Sequence, residues 1–320
     1  MVSPESSSDT ALDARSIAIA RGRAYDLLAD LFLRGPRRLD HLRSVPMLAV
    51  HLPQECDDEA LAWHHHVTAQ QVPPYAGVFL HEAGLLGGSA SDEARGAMKA
   101  GGFSSVERDI EPDHLAASLQ FLAWLSGAEA DAWRDGQATI ASQIQGRARA
   151  YIETQLLRWL PPLVVAVESV DPKLYGSAAR LIAELVSDQL GRVPETWPLP
   201  VRSRAILDEP KVGLRQIADY LAIPVNAGAL LSPDWIRTVA RETGTSTGFG
   251  SRSMRLEGLL KTAARRGEVA PVLDRLLSAV RKLEQRTLRL PAGAPWAERL
   301  AHTREVLARM QTELAKTAEA

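Results

Sequence analysis

The chain has a single cysteine, Cys56, among its 320 residues. That excludes an internal disulfide, a cysteine-ligated iron–sulfur cluster and a Cys-rich zinc site within one chain. Aromatic residues are scarce, at 5%, so the seven tryptophans stand out as markers. Long apolar runs are missing as well. Among the longest, Leu163–Val167 falls far short of the roughly 20 residues that a membrane-spanning helix needs, so no membrane span is expected. The N-terminal stretch, Met-Val-Ser-Pro-Glu-Ser-Ser-Ser-Asp, has neither the basic segment nor the apolar core of a secretion signal, and a cytoplasmic location is expected. Neither charge sign dominates. A net charge of −2 gives no global case for nucleic acid. The period-2 alternation of half-buried strands is absent, and so are tandem repeats.

What is present is helical periodicity. It predicts an all-α fold, with a polar, disordered stretch over residues 1–10. Ile17, Ala20, Ala24, Leu27 and Leu31 mark a first helix that Gly35-Pro36 stops. A second helix is expected over Asp57–Gln71, with Leu61 and Val67 inward. Val72-Pro-Pro-Tyr-Ala-Gly-Val-Phe-Leu80 is apolar, yet its prolines and glycine forbid a regular helix. Such a segment is packed under something or receives a ligand. Gly84, Gly87 and Gly88 mark a loop. Glu111–Trp124 reads as a helix with Pro112 in its first turn, Asp113 favoured there by the helix dipole, and Leu115, Leu119 and Leu122 as its buried stripe. It is expected to end near Gly127. A long helix over Glu129–Trp159, stopped by Pro161-Pro162, and another from Pro172 to Gly191 follow. Val193–Pro200 reads as an extended boundary, with a linker over 196–210. Residues 211–320 then form a smaller helical region. Ser232-Pro233-Asp234 is a helix start, Gly244–Ser251 a loop, and Arg252–Arg265, Val269–Leu288 and Trp296–Thr312 are amphipathic helices. Ser251–Leu290 carries ten Lys/Arg against four Asp/Glu, the pattern of a solvated helix face.

Few residues offer catalytic chemistry. Glu111-Pro112-Asp113-His114 holds an acid beside a base, but it also reads as an ordinary helix start. His64-His65-His66 tempts a metal reading. Adjacent helical positions point about 100° apart, so three in a row cannot face one ion, and no HExxH pattern exists. No GxSxG nucleophile elbow occurs, and Gly244–Gly250 lacks the Gly-Lys-Ser/Thr ending of a phosphate loop. Trp63, Tyr75 and Phe79 form the more informative set: either plain core, or a groove for an apolar peptide.

Four motifs in order resemble the TorD/DmsD/NarJ family of redox-enzyme maturation chaperones. They are Ala24-Tyr-Asp-Leu-Leu-Ala-Asp-Leu-Phe32, Pro73-Pro-Tyr-Ala-Gly-Val-Phe-Leu80, Glu111-Pro-Asp-His114, and Asp171-Pro-Lys-Leu-Tyr175 followed by Ala179-Arg-Leu-Ile-Ala-Glu184. The match covers about residues 11–195. The resemblance implies a TorD-like helical bundle followed by the smaller C-terminal region, and a chaperone rather than an enzyme. It implies a partner, the catalytic subunit of a molybdenum or tungsten pterin oxidoreductase, bound through its twin-arginine leader and as apoprotein until the pterin is in place. It also implies a leader site built from Pro74 and Tyr75 in one loop and Pro112, Asp113 and His114 in the other. Trp63, His66 and Val67 from the preceding helix and Phe79 complete the set. A histidine at position 66 departs from the apolar residue that relatives carry there. No resident cofactor or metal is implied, and a monomer or a dimer is compatible. Carboxylates such as Glu82, Glu111 and Asp113 at the groove's rim would pair with the leader's arginines.

Two other readings compete. One is a metal-dependent hydrolase using His114, Asp113 and a histidine from 64–66 or His81. The other is a helical scaffold or regulator that meets an acidic partner through its basic C-terminal helices.

Overall fold

The computed structural model describes residues 4–84, 87–104, 110–194, 199 and 205–319, with the side chains of 4–11 and 317–319 left aside. Sixteen α-helices make up the described chain, with no strand among the described residues, which makes the fold all-α as expected.

The first body is built on α1 (Pro4–Arg34), which lies along α7 (Leu115–Arg134). The helix α1 starts at Pro4, inside the stretch expected to be disordered. Between α1 and α7 come α2 (Leu39–Arg43), α3 (Pro46–Ala49), α4 (Asp58–His65), a π-helical stretch at His66–Gln71, the one-turn α5 (Ala76–Leu80) and α6 (Ser89–Ala100). The Asp57 carboxylate caps α4 by accepting the Ala60 N–H at 2.9 Å. Beyond α7 lie α8 (Ala138–Tyr151), a second π-helical turn at Ile152–Leu156, α9 (Leu160–Val170) and α10 (Leu174–Leu190). A core of Tyr25, Leu28, Phe32, Leu119, Leu122, Trp159, Leu163 and Ile182 fills the space between them.

Several boundaries differ from the sequence reading. The helix expected from Glu111 begins at Leu115, with His114 as its cap, and runs through Gly127 to Arg134. One mid-helix glycine costs only about 1 kcal/mol, less than the flanking burial supplies. The single helix expected over 129–159 is broken at Asp135-Gly136-Gln137, where Gly136 takes a φ of +70°. Pro161 and Pro162 do not stop a helix; they sit in the first turn of α9, where a missing N–H costs nothing. Asp171 opens α10, its two oxygens accepting the Lys173 and Tyr175 N–H groups at 3.0 and 3.1 Å.

The second body holds α11 (Leu214–Ala222), α12 (Pro224–Ala227), α13 (Pro233–Glu242), α14 (Arg252–Arg266), α15 (Val269–Leu288) and α16 (Ala294–Glu319). Its core includes Ile217, Leu221, Leu259, Leu273, Leu276 and Leu307. Ile206, in the stretch expected to be linker, is fully buried there. Most of the expected boundary segment Val193–Pro200 lies outside the described residues. As read from the sequence, Ser232 caps α13 and Pro233 follows it.

The two bodies touch extensively. Trp296 is fully buried in the first core, and its indole N–H donates to the Arg158 carbonyl at 3.0 Å. Glu168, at the end of α9, accepts hydrogen bonds from Arg180 on α10 and from Arg286 on α15.

Candidate functional site

Two distant loops meet at one corner. Pro73 and Pro74 end the π-helical stretch, because neither can donate to a helix and each disfavours helical geometry before it. The freed strand-like segment pairs with the residues ahead of α7. The Ala76 N–H donates to the Asp113 carbonyl at 2.9 Å, and the Leu115 N–H donates to the Pro74 carbonyl at 2.8 Å. Tyr75 and His114 thus form an isolated antiparallel bridge. Their rings meet edge to face, 4.6 Å apart at 75°, a favoured aromatic arrangement.

The side chains lock this pairing. Asp113 is 1% exposed, and its Oδ2 accepts the Gly77 N–H at 2.9 Å. Its other oxygen, Oδ1, finds no donor among the described residues. Burial pushes the Asp113 carboxyl above the ordinary carboxylate range; the Gly77 hydrogen bond opposes this and the nearby Glu111 charge adds to it. His114 is buried and caps α7, its Nδ1 accepting the Ala116 N–H at 3.0 Å. An accepting Nδ1 requires the proton on Nε2, so the cap and a neutral ring go together. Burial pushes the His114 imidazole down to about 4, and the charge of His64 acts in the same direction. Tyr75 is half-buried, and its hydroxyl is raised by burial first and then by the charges of Asp113 and Glu111.

Pro112 is half-buried and Glu111 exposed beside this corner. Glu111 accepts from Ser91 at 3.1 Å and lies 3.6 Å from Arg95. The expectation that Asp113 sits at a solvent rim is corrected: Asp113 faces the opposite loop's backbone, whereas Glu111 and Glu82 are exposed.

The remaining sequence candidates divide. Trp63 is 45% exposed and stacks on His66 at 5.0 Å. Val67 and Phe79 are closed off in the core, Phe79 against Trp159 at 5.9 Å. They stand behind the surface and fix its shape. The three adjacent histidines diverge as helical geometry requires. His64 turns inward to the Tyr175 hydroxyl at 2.9 Å, His65 is exposed, and His66 reaches Asp234 of α13. No group of three or more ligating side chains that could hold a metal occurs among the described residues.

Sequence reasoning missed Gln71 and Asp234. Gln71 is 2% exposed and its Oε1 accepts the Asp234 N–H at 2.9 Å, while the Asp234 carboxylate pairs with His66 Nε2 at 2.9 Å. A helix start at Ser232-Pro233 was legible, but nothing local signalled its partner in the first body.

At this corner of an all-helical body two Pro-led loops interlock, with Asp113 Oδ2 accepting the Gly77 N–H and His114 Nδ1 accepting the Ala116 N–H. Residues 40–165 match the nitrate reductase delta subunit family. Among curated proteins, the selenate reductase assembly chaperone protein of Thauera selenatis is 36% identical over 27% of this chain and 44% of its own length. Chaperone protein TorD of Vibrio cholerae is 36% identical over 34% of this chain and 48% of its own. The chlorate reductase assembly chaperone protein of Ideonella dechloratans is 35% identical over 26% and 44%. The chain therefore spans about half the length of the curated relatives it matches. Two of these names describe reductase assembly chaperones and the other a chaperone. No solved structure matches the chain.

Proposed function

We propose that the chain is a cytoplasmic, non-enzymatic assembly chaperone for a molybdenum or tungsten pterin oxidoreductase. In this reading it binds the twin-arginine leader and the apo form of the catalytic subunit, and assists pterin insertion before export. One observation carries the reading: within the stretch that matches the nitrate reductase delta subunit family, the Pro74–Gly77 and Asp113–Leu115 segments interlock and present Tyr75 and Pro112 at the surface over a fixed core. Trp63 and His66 extend the candidate surface, with Val67, Phe79, Asp113 and His114 holding it in shape. Apolar burial at about 25 cal/mol per Å² would supply most of the affinity, and exposed carboxylates would set the peptide's direction.

The test is calorimetry of the full-length chain with the leader of a reductase encoded beside its gene. Micromolar binding, about −8 kcal/mol, is expected, weakened by Tyr75→Ala. Asp113→Ala removes the acceptor for the Gly77 N–H and should weaken binding too. Asp113→Asn keeps a carbonyl oxygen there and should retain it. Absence of any binding by the unaltered chain overturns the proposal. Loss on Asp113→Asn equal to that on Asp113→Ala would mean that the charge itself reads the arginines.

A further inference from the structure

A second recess adjoins the candidate surface on the other side of Trp63. It has a volume of about 220 Å³ and is walled by Pro36, Leu52, Pro53, Trp63, Leu174 and Tyr175. That is the room of about seven water molecules at about 30 Å³ each, enough for one or two large side chains and too small for a drug-sized ligand. Its walls are mainly apolar, interrupted by His51, Asp171 and Lys173. Tyr175 is almost fully buried and closes the floor of the recess, its hydroxyl engaged by His64 at 2.9 Å. One of the four family-like motifs, Asp171–Tyr175, supplies both Leu174 and Tyr175, yet the corner described above uses neither residue.

The charge beside the recess has one sign along α4. Asp57, Asp58 and Glu59 are exposed, and none makes an ion pair among the described residues. Glu59 lies one turn before Trp63, on the same helix face. Lys173 stands on the far wall. A larger cleft of about 570 Å³ beside α1 has the opposite rim, with Arg23, Arg38 and His41 against Asp26, and would repel an arginine-bearing peptide.

We infer that the Trp63–Tyr175 recess is an anchor site for an apolar side chain of the leader peptide, with the leader's arginines lying over the carboxylates at the start of α4. The inference rests on the leader-binding reading and adds to it a second contact point outside the Tyr75–His114 corner. Its occupant is a segment of the client in which basic residues adjoin apolar ones. Burial in the recess supplies strength. The carboxylates on one side and Lys173 on the other fix direction.

The probe is a fluorescein-labelled synthetic peptide with an Arg-Arg pair followed by a Leu/Ala stretch, titrated with the full-length chain by fluorescence anisotropy. Ala60→Phe fills the recess from an exposed helix, and Glu59→Lys reverses the rim charge. The expected result is affinity lowered tenfold or more by Ala60→Phe. Glu59→Lys should lower it at least threefold at low salt, with little further effect at high salt, where exposed charges are screened. Both variants are checked for unchanged helical circular dichroism. Unaltered affinity in both, with binding still lost on Tyr75→Ala, overturns the anchor and leaves the leader-binding reading standing. No binding by the unaltered chain overturns both. A dimer of the unaltered chain that Ala60→Phe dissolves in sedimentation would assign the recess to a second copy and overturn the inference. If Ala60→Phe fails to fold, a benzophenone-bearing peptide on the unaltered chain decides: crosslinks within residues 52–63 or 173–175 support the anchor, and crosslinks confined elsewhere overturn it.

Discussion

Acidification should destabilise the Tyr75–His114 corner through His114, and the size of the effect follows from its burial. The imidazole is held neutral in the folded chain, with its pKa lowered from 6.5 to about 4. The unfolded chain therefore takes up a proton that the folded chain refuses across the interval between those values. Because the folded value is depressed, this stability is complete above about pH 7, declines as pH falls toward 4, and changes no further below that. The full shift corresponds to roughly 3 kcal/mol, and by pH 5 about 2 kcal/mol of it is lost. His64, also lowered chiefly by burial, adds in the same sense. Asp113 works against both: its raised carboxyl makes burial costly at high pH, and protonation relieves that cost as pH falls. The unaltered chain alone thus shows only a resultant. His114→Asn isolates the histidine, since asparagine is a favourable cap for α7 and does not titrate. The substitution also loses the ring contact with Tyr75, about 0.5–1.5 kcal/mol, at every pH. Urea unfolding of both proteins at pH 8, 7, 6 and 5 should show the unaltered chain losing its advantage over His114→Asn by about 2 kcal/mol at pH 5. Parallel stability–pH curves for the two proteins would refute the reasoning.

Two further outcomes test the frame behind the corner. Trp296→Ala removes a fully buried side chain, with its hydrogen bond to Arg158, from the contact between the two bodies; a loss of about 3–5 kcal/mol is expected, read as a lower melting temperature and faster proteolysis of 205–319. Gly176→Ala would place a Cβ 2.6 Å from the Asp171 carbonyl oxygen and 3.2 Å from Glu168 Cα, so α9 and α10 must separate, at about 1–3 kcal/mol by chemical denaturation.

Much of this architecture was legible because its signals are local. Apolar spacing gave the helices, and Ser232-Pro233 gave the start of α13 residue for residue. The errors arise where proline or glycine is read without tertiary context. Pro161-Pro162 opens α9 rather than ending its predecessor, and Gly127 passes inside α7 because Leu122, Leu125, Glu129 and Ala130 are buried around it. At the site, the family resemblance implies that two motifs far apart in sequence meet, and Tyr75 and His114 pair through their backbones. The role of Asp113 was not legible. An aspartate ahead of a helix looks like a surface residue compensating the dipole, and only the returning loop, with its Gly77 N–H, turns it into a buried lock.

His66 shows how the second body changes the reading of the first. An apolar residue at that position would leave the carboxylate of Asp234 without its partner there; the histidine brings its Nε2 to 2.9 Å from it. Gln71, at the end of the same π-helical stretch, accepts the Asp234 N–H from below. Irregular π-helical turns expose backbone and side chains that a regular helix would rotate away, and here both polar groups so displayed are claimed by one residue of α13. The candidate surface and the C-terminal region therefore share a boundary at His66. Trp63, stacked on that histidine, is held in place by a residue that α13 in turn holds. A shift of α13 would be felt first at Trp63, the most exposed aromatic of the candidate set, before it reached the buried corner at Tyr75 and His114.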